Sequence, residues 1–347
     1  MSSTKVSIGS DPELVMLDQN EKIIRASDVI QRAEDKFGLD GHPYIAELRP
    51  TPAIHPRDLV ASIKNVLASR VVDLQNWTWK AGPWVCERPL GGHIHFGVPF
   101  EDHMKDALDN QFGTILALAE PAEAAAQRRT VVFYGDKPYG LLGDIRTKDW
   151  GFEYRTPSSF IVTPGTTLGL ITIAKAIIWE ELEGGSQAFS KLPLETRTQM
   201  GFKPEDFHHC KREVFLPKLE LLRNQLFKMR YFEKGEEGGD LWPAVSYLLK
   251  QVVEKGGYTS KGDIKIRWKL IFDAKPPVKI GPQIFWRDLV TQHHNWWLHN
   301  PLEEHQENFL VQSPIAFNIP TNGTTTQETW QWGNRADPET IWQGLGL

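Results

Sequence analysis

Cysteine is scarce. Cys86 and Cys210 are the only two in 347 residues, so no disulfide framework carries the fold and a reducing cytoplasm is the expected setting. Long apolar runs are also missing. Leu168 to Trp179 is the longest and contains Lys175, so it reads as a buried helix and no membrane partner is expected. Met1 to Gly9 lacks the apolar core of a signal peptide. Positive charge is in deficit: 39 Lys and Arg against 44 Asp and Glu give a net charge of −5. That excludes nucleic-acid binding by bulk charge and leaves only local basic patches. No GxxxxGK[ST] loop is present, and Gly135 to Gly143 lacks its spacing, so a P-loop is excluded. Aromatics, by contrast, are plentiful, with 17 Phe, 13 Trp and 7 Tyr, and eight of the Trp follow residue 240.

Hydrophobic residues at 40% and charged residues at 24% suit a folded chain of one or two domains. Lys5 to Ile8 and Leu14 to Leu17 flank a turn at Ser10-Asp11-Pro12. Tyr44 to Arg49, His93 to Val98, Thr130 to Tyr134 and Gly151 to Arg155 read as strands. Pro56 to Leu74 predicts a helix, with Pro in its first turn and apolar residues at 59, 63, 67 and 71. Asp102 to Arg128 is mostly helical, with a break near Pro121. Pro164 to Leu182, Phe215 to Met229 and Trp242 to Val253 predict further helices, and Glu233 to Asp240 a Gly-rich loop. Gly184-Gly185 divides the chain into 1–183 and 184–347; the second part is a helical, Trp-rich elaboration or completes the same domain.

Side chains alternate faces along a strand, so residues i and i+2 point the same way. His93 and His95 therefore share a face opposite Ile94 and Phe96. Glu153 and Arg155 lie opposite Phe152 and Tyr154, and Glu47 and Arg49 lie opposite Leu48. Asp11 and Glu13 sit two apart at a strand edge. Singly, each pair also fits a solvated face or a structural ion pair. Together they predict a polar, metal-competent floor over an apolar layer. Hard oxygen ligands with a histidine suit Mg²⁺ or Mn²⁺, and neighbouring arginines suit the phosphates of a nucleotide. The reaction class is then phosphoryl transfer.

Several motifs occur in a fixed order: Gly9-Ser10-Asp11-Pro12-Glu13, Asp40-Gly41, Glu47-Leu48-Arg49-Pro50, Gly91-Gly92-His93-Ile94-His95-Phe96-Gly97 and Tyr139 to Arg146. The last leads into Gly151-Phe152-Glu153-Tyr154-Arg155-Thr156-Pro157-Ser158-Ser159. Over roughly residues 5 to 180 this set resembles the phage phiEco32-like COOH–NH2 ligase type 2 family, relatives of glutamine synthetase and glutamate–cysteine ligase. The resemblance implies an α+β fold: a curved antiparallel sheet shaped into a catalytic funnel, with helices on its convex side. It implies an ATP-dependent, amide-forming ligase of the EC 6.3 type that works through an acyl phosphate. By motif, Asp11, Glu13, Glu47, His93 and Glu153 would bind divalent metal, and His95 would lie near the nucleotide. Arg146 and Arg155 would hold phosphate or stabilise the transferring group. Asp40 and Asp144 are further acid candidates. Small-molecule or peptide carboxylates and amines would be the substrates, and the resemblance leaves a homo-oligomer open. The family's relatives usually carry Glu-x-Glu where this chain has Asp11-Pro12-Glu13.

Two other readings compete. His-x-His also occurs in zinc-dependent amidohydrolases, with spare histidines here at 208, 209, 293, 294, 299 and 305. The strand-like runs before residue 93 count against it. A non-catalytic phage protein that kept the ligase fold is the other. Thr291 to His299 reads as an aromatic segment packed on the core, Lys261 to Lys269 as a solvated strand face, and Cys210 only faintly as a nucleophile.

Overall fold

The computed structural model describes residues 5–270 apart from 32, 34, 134 and 135. The histidines and tryptophans after residue 270 lie outside the described residues. The fold is α+β, and every strand pairing is antiparallel. The strands are β1 (Ile8–Ser10), β2 (Glu13–Leu17), β3 (Ile23–Ile24), β4 (Phe37–Leu39), β5 (Ala46–Leu48), β6 (Thr78–Lys80), β7 (Trp84–Val85), β8 (Arg88–Pro89), β9 (Ile94–Phe96), β10 (Ile145–Lys148) and β11 (Gly151–Tyr154). One sheet has the order β1-β9-β11-β10. A second runs β3-β2-β5-β4 with β6 also on β2, and β7 and β8 form a hairpin.

Asp11 and Pro12 alone separate β1 from β2, so the two sheets join there. The Glu13 amide donates to the Gly91 carbonyl at 2.9 Å, which carries pairing across the junction. Gly9, His95, Glu153 and Arg146 align in register across the first sheet. Glu13, Glu47 and Gly38 align across the second. Their neighbours Ile94, Phe96, Phe152, Tyr154, Ala46 and Leu48 are buried. This is the alternation expected from sequence, and full burial of each such large side chain stabilises the fold by about 1.5–3 kcal/mol.

The helices are α1 (Pro56–Arg70), α2 (Asp102–Ala107), α3 (Gly113–Ala119), α4 (Ala122–Thr130), α5 (Pro164–Glu183), α6 (Leu194–Met200), α7 (Pro204–His208), α8 (Arg212–Lys228), α9 (Trp242–Lys255) and α10 (Ile264–Arg267). Thr163 caps α5 by accepting the Thr166 amide, and Gly184 ends it at φ +66°, a left-handed conformation that costs glycine little. The helix is buried along nearly its whole length. One apolar core includes Ile8 and Phe96 of the sheet, Ile171 and Ile178 of α5, and Leu222 and Leu248 of α8 and α9.

Two expected strands are absent. Residues 131–133 are not a strand: α4 runs to Thr130 because Arg128 and Arg129 are buried and anchored. Arg128 donates to the Thr156 and Pro157 carbonyls, and Arg129 to Glu120 and the Phe207 carbonyl. Nor is Lys261 to Lys269 a solvated strand. It holds α10, capped by Asp263. The buried Lys265 ammonium donates to the Gln75 and Trp77 carbonyls, and the Trp268 indole to Ile161 O at 2.8 Å.

Candidate active site

The junction between the sheets gathers most of the residues singled out in sequence. Asp11 stands between the two histidines. Its Oδ1 lies 3.1 Å from His93 Nδ1 and its Oδ2 lies 3.3 Å from His95 Nε2. Burial favours the neutral form of Asp11, but the two imidazoles outweigh it and hold the carboxyl below its ordinary range. Glu13 is almost fully buried; its Oε2 accepts the Gly91 amide at 2.6 Å and its Oε1 the Tyr139 hydroxyl at 3.3 Å. The same hydroxyl lies 2.6 Å from His93 Nε2.

The remaining acids crowd the same junction. Glu47 lies opposite Glu13 in register, and two like charges so placed repel. Burial, and then the charge of Asp11, push the Glu47 carboxyl up to about 8 against the pull of Arg49. Glu13 rises well above the usual range through burial and then the charge of Asp40. Asp40 rises through burial, with His93 opposing and Asp11 adding. Asp40 thus belongs to the cluster, while Asp144 does not join it.

Other expected partners are placed differently. Glu153 and Arg155 do not pair with each other. Glu153 pairs with Arg146, whose Nε is 2.5 Å from Glu153 Oε2, and with Lys148 at 3.5 Å. Arg155 lies 3.7 Å from Asp144. The Glu47–Arg49 ion pair does form, and Arg49 also donates to the Ala33 and Leu39 carbonyls, which ties it to the segment around β4. Among the described residues, no three acidic or imidazole groups already converge on one point. The Trp150 ring, half exposed at the β10–β11 turn, lies 5.5 Å from the His95 ring.

Sequence reading passed over two groups. Tyr139 was visible only as the first residue of a motif, and its role depends on a fold that brings it 126 positions back to Glu13. Arg128 packs 4.5 Å over the Tyr139 ring. The glycines have a clear signal in hindsight: a Cβ on Gly91 would stand 2.4 Å from the Tyr139 hydroxyl and 2.9 Å from His93 Nε2. The other reactive candidates are structural. Cys210 is buried, accepts from Arg129 at 2.9 Å, and burial pushes its thiol up, which removes it as a nucleophile. His208 sits near Arg129 and Glu205.

One family model, described as phage phiEco32-like COOH.NH2 ligase-type 2, matches residues 8–270. The chain belongs to that family. The match extends well past residue 180 and takes in the residues of α6 to α10. Among solved structures, a bifunctional glutathione synthetase from Pasteurella multocida aligns with a TM-score of 0.45 at 12% identity, over 84% of this chain and 52% of that one. The chain thus spans about half the length of that protein. A novel glutamine synthase homolog aligns with a TM-score of 0.30 at 12% identity, over 69% of this chain and 70% of that one. No curated protein matches significantly. Among the described residues, no helix is long and apolar enough to cross a membrane.

Proposed function

We propose that this ligase-family protein is an ATP-dependent carboxylate–amine ligase that forms an amide through an acyl phosphate, using Mg²⁺ or Mn²⁺. The joined sheets would be the floor of a glutamine synthetase-like funnel. One observation carries the reading: three buried or half-buried acids, Asp11, Glu13 and Glu47, crowd beside two histidines, with the more exposed Asp40 at their edge, and the four acids perturb one another. Buried like charges are costly unless a cation offsets them.

The residues fit a divalent ion. Asp11 Oδ1, His93 Nδ1 and His95 Nε2 are buried, and their close contacts lack hydrogen-bond geometry. Oxygen donors with imidazole suit a hard or borderline cation. Asp11, Glu13, Glu47, His93 and Glu153 would hold the metal, which would neutralise charge on the nucleotide phosphates. Arg146 is half exposed and Arg155 partly so, and both stand where they could meet a transferring phosphoryl group. Arg146 would then exchange Glu153 for phosphate.

In the reaction, a substrate carboxylate oxygen attacks the γ-phosphorus and the bond to ADP breaks. The amine nitrogen attacks the acyl carbon, phosphate leaves with its bonding pair, and the nitrogen sheds a proton to water. Tyr139 and Asp11 fix the His93 ring from its two sides. The test supplies ATP, Mg²⁺, a panel of amino acids as carboxylates, and hydroxylamine as the amine. Nucleotide-dependent hydroxamate and phosphate release are expected, and they should vanish in Glu153→Gln and His93→Ala with the fold intact. Full turnover in either variant would refute the site. No hydroxamate, with no thermal stabilisation by ATP and Mg²⁺, would refute the function.

A further inference from the structure

Three segments that feed the acidic site also carry side chains that the proposed reaction leaves unused. Asp40 is followed two residues later by His42 and four later by Tyr44. Gly91, which meets Glu13, is preceded by Arg88 and Trp84 on the β7–β8 hairpin. Tyr139 is preceded six residues earlier by Phe133. A chain reaches at most about 3.5 Å per residue, so the backbone of His42 lies within about 7 Å of Asp40 and that of Arg88 within about 10 Å of Gly91.

These five side chains meet. The rings of His42 and Phe133 are 6.4 Å apart, those of Trp84 and Phe133 6.1 Å, and those of His42 and Tyr44 5.7 Å. All four rings are half-buried. The Arg88 guanidinium lies 5.4 Å from the centre of the Tyr44 ring and 5.1 Å from that of Phe133. Its Nη1 donates to the Glu87 carbonyl at 3.0 Å, and its Nε is buried with no hydrogen-bond partner. Among the described residues, no carboxylate pairs with it. With Nε buried and one Nη1 hydrogen on the Glu87 carbonyl, the Nη1–Nη2 edge is what remains to meet a carboxylate, which a guanidinium matches in shape and charge. Burial and the charge of Arg88 both shift His42 towards its neutral form. Arg88 is therefore the one full cation among these five side chains, which suits a carboxylate better than a phosphate dianion.

We propose that His42, Tyr44, Trp84, Phe133 and Arg88 seat the amine substrate of the ligation, and that this substrate is an aromatic α-amino acid. The rings would hold its side chain and Arg88 its α-carboxylate, leaving the α-amine to attack the activated carbonyl. This rests on the ligase reading, but its test does not need turnover. Calorimetry in the absence of nucleotide compares L-tryptophan, tryptamine (no carboxylate) and L-leucine (no ring). Wild-type protein should bind L-tryptophan at least tenfold tighter than either analogue. Arg88→Ala should abolish the advantage over tryptamine, Arg88→Lys should restore part of it, and Phe133→Ala should weaken L-tryptophan and tryptamine alike. Thermal melts confirm that each variant is folded. Equal binding of L-tryptophan and tryptamine to wild type would overturn the inference, as would unchanged binding in Arg88→Ala. Displacement of bound L-tryptophan by ATP would also overturn it, because the rings would then belong to the nucleotide. A failed hydroxamate assay with selective tryptophan binding would refute the ligase reading alone. Hydroxamate formation with unselective binding would refute only the inference.

Discussion

Tyr139→Phe removes one oxygen atom and tests the core of the site. In the native protein that oxygen lies 2.6 Å from His93 Nε2 and donates to Glu13 Oε1 at 3.3 Å. Glu13 is 2% exposed and His93 5% exposed, so water has little access to either. The Glu13 carboxylate keeps its 2.6 Å bond from Gly91, but through the other oxygen. Leaving a buried polar group without its partner costs about 1–3 kcal/mol. Two such groups give roughly 2–4 kcal/mol, taking the longer Glu13 contact as the weaker. The ring stays, so its edge-to-face contact with His93 and its contact with Arg128 are retained. Tyr258→Phe is the control: its hydroxyl lies 2.7 Å from the buried Ser158 Oγ, so it leaves one buried group without its partner, at about 1–3 kcal/mol, instead of two. Urea unfolding of both variants measures the difference. If His93 binds metal, loosening its orientation should also weaken Mg²⁺ or Mn²⁺ about 10–100-fold in Tyr139→Phe, and not in Tyr258→Phe. Equal small losses in both, below about 0.5 kcal/mol, would refute the argued role of the hydroxyl.

Gly91→Ala should abolish activity and metal binding while the helical core stays folded, because the added methyl would stand 2.4 Å from the Tyr139 hydroxyl. Circular dichroism with metal titration checks it. Lys64 is buried in α1, and burial, then the charge of Lys269, lower its ammonium to about 6. The unfolded chain holds that proton up to its ordinary value near 10.5, so folding releases it between those limits and stability rises with pH. From pH 7 to 9 the gain is at most about 2.7 kcal/mol, and Lys64→Met should flatten it and raise stability at pH 7. Denaturant midpoints at the two pH values decide. A parallel pH dependence in both proteins would show that Lys64 does not titrate in this range.

Much of the scaffold could be read locally. The two-residue alternation through His93 to Phe96 and Phe152 to Arg155 reports which faces are apolar, because a strand has no other way to bury Ile94, Phe96, Phe152 and Tyr154. The start of α5 was legible in Thr163 and Pro164, and its end in Gly184, since caps and left-handed turns are local chemistry. In Lys261 to Lys269 the charge pattern suggests solvent. There, a buried lysine finds the Gln75 and Trp77 carbonyls, partners that no local pattern shows.

The sequence by itself determined the residue types of the site, their order, and which of them share a strand face. Those follow from side-chain chemistry and from the period of a strand. Tertiary structure alone decided who meets whom. Glu153 turns to Arg146 instead of Arg155, and Arg155 to Asp144, because β10 lies beside β11 and presents Arg146 opposite Glu153. Asp11 joins His93 and His95 because β1 pairs with β9 across more than eighty residues of chain. Tyr139 reaches Glu13 and His93 because buried Arg128 anchors the end of α4 beneath it. Pairings of this kind arise from sheet register and packing over long separations, and no local rule of sequence contains them.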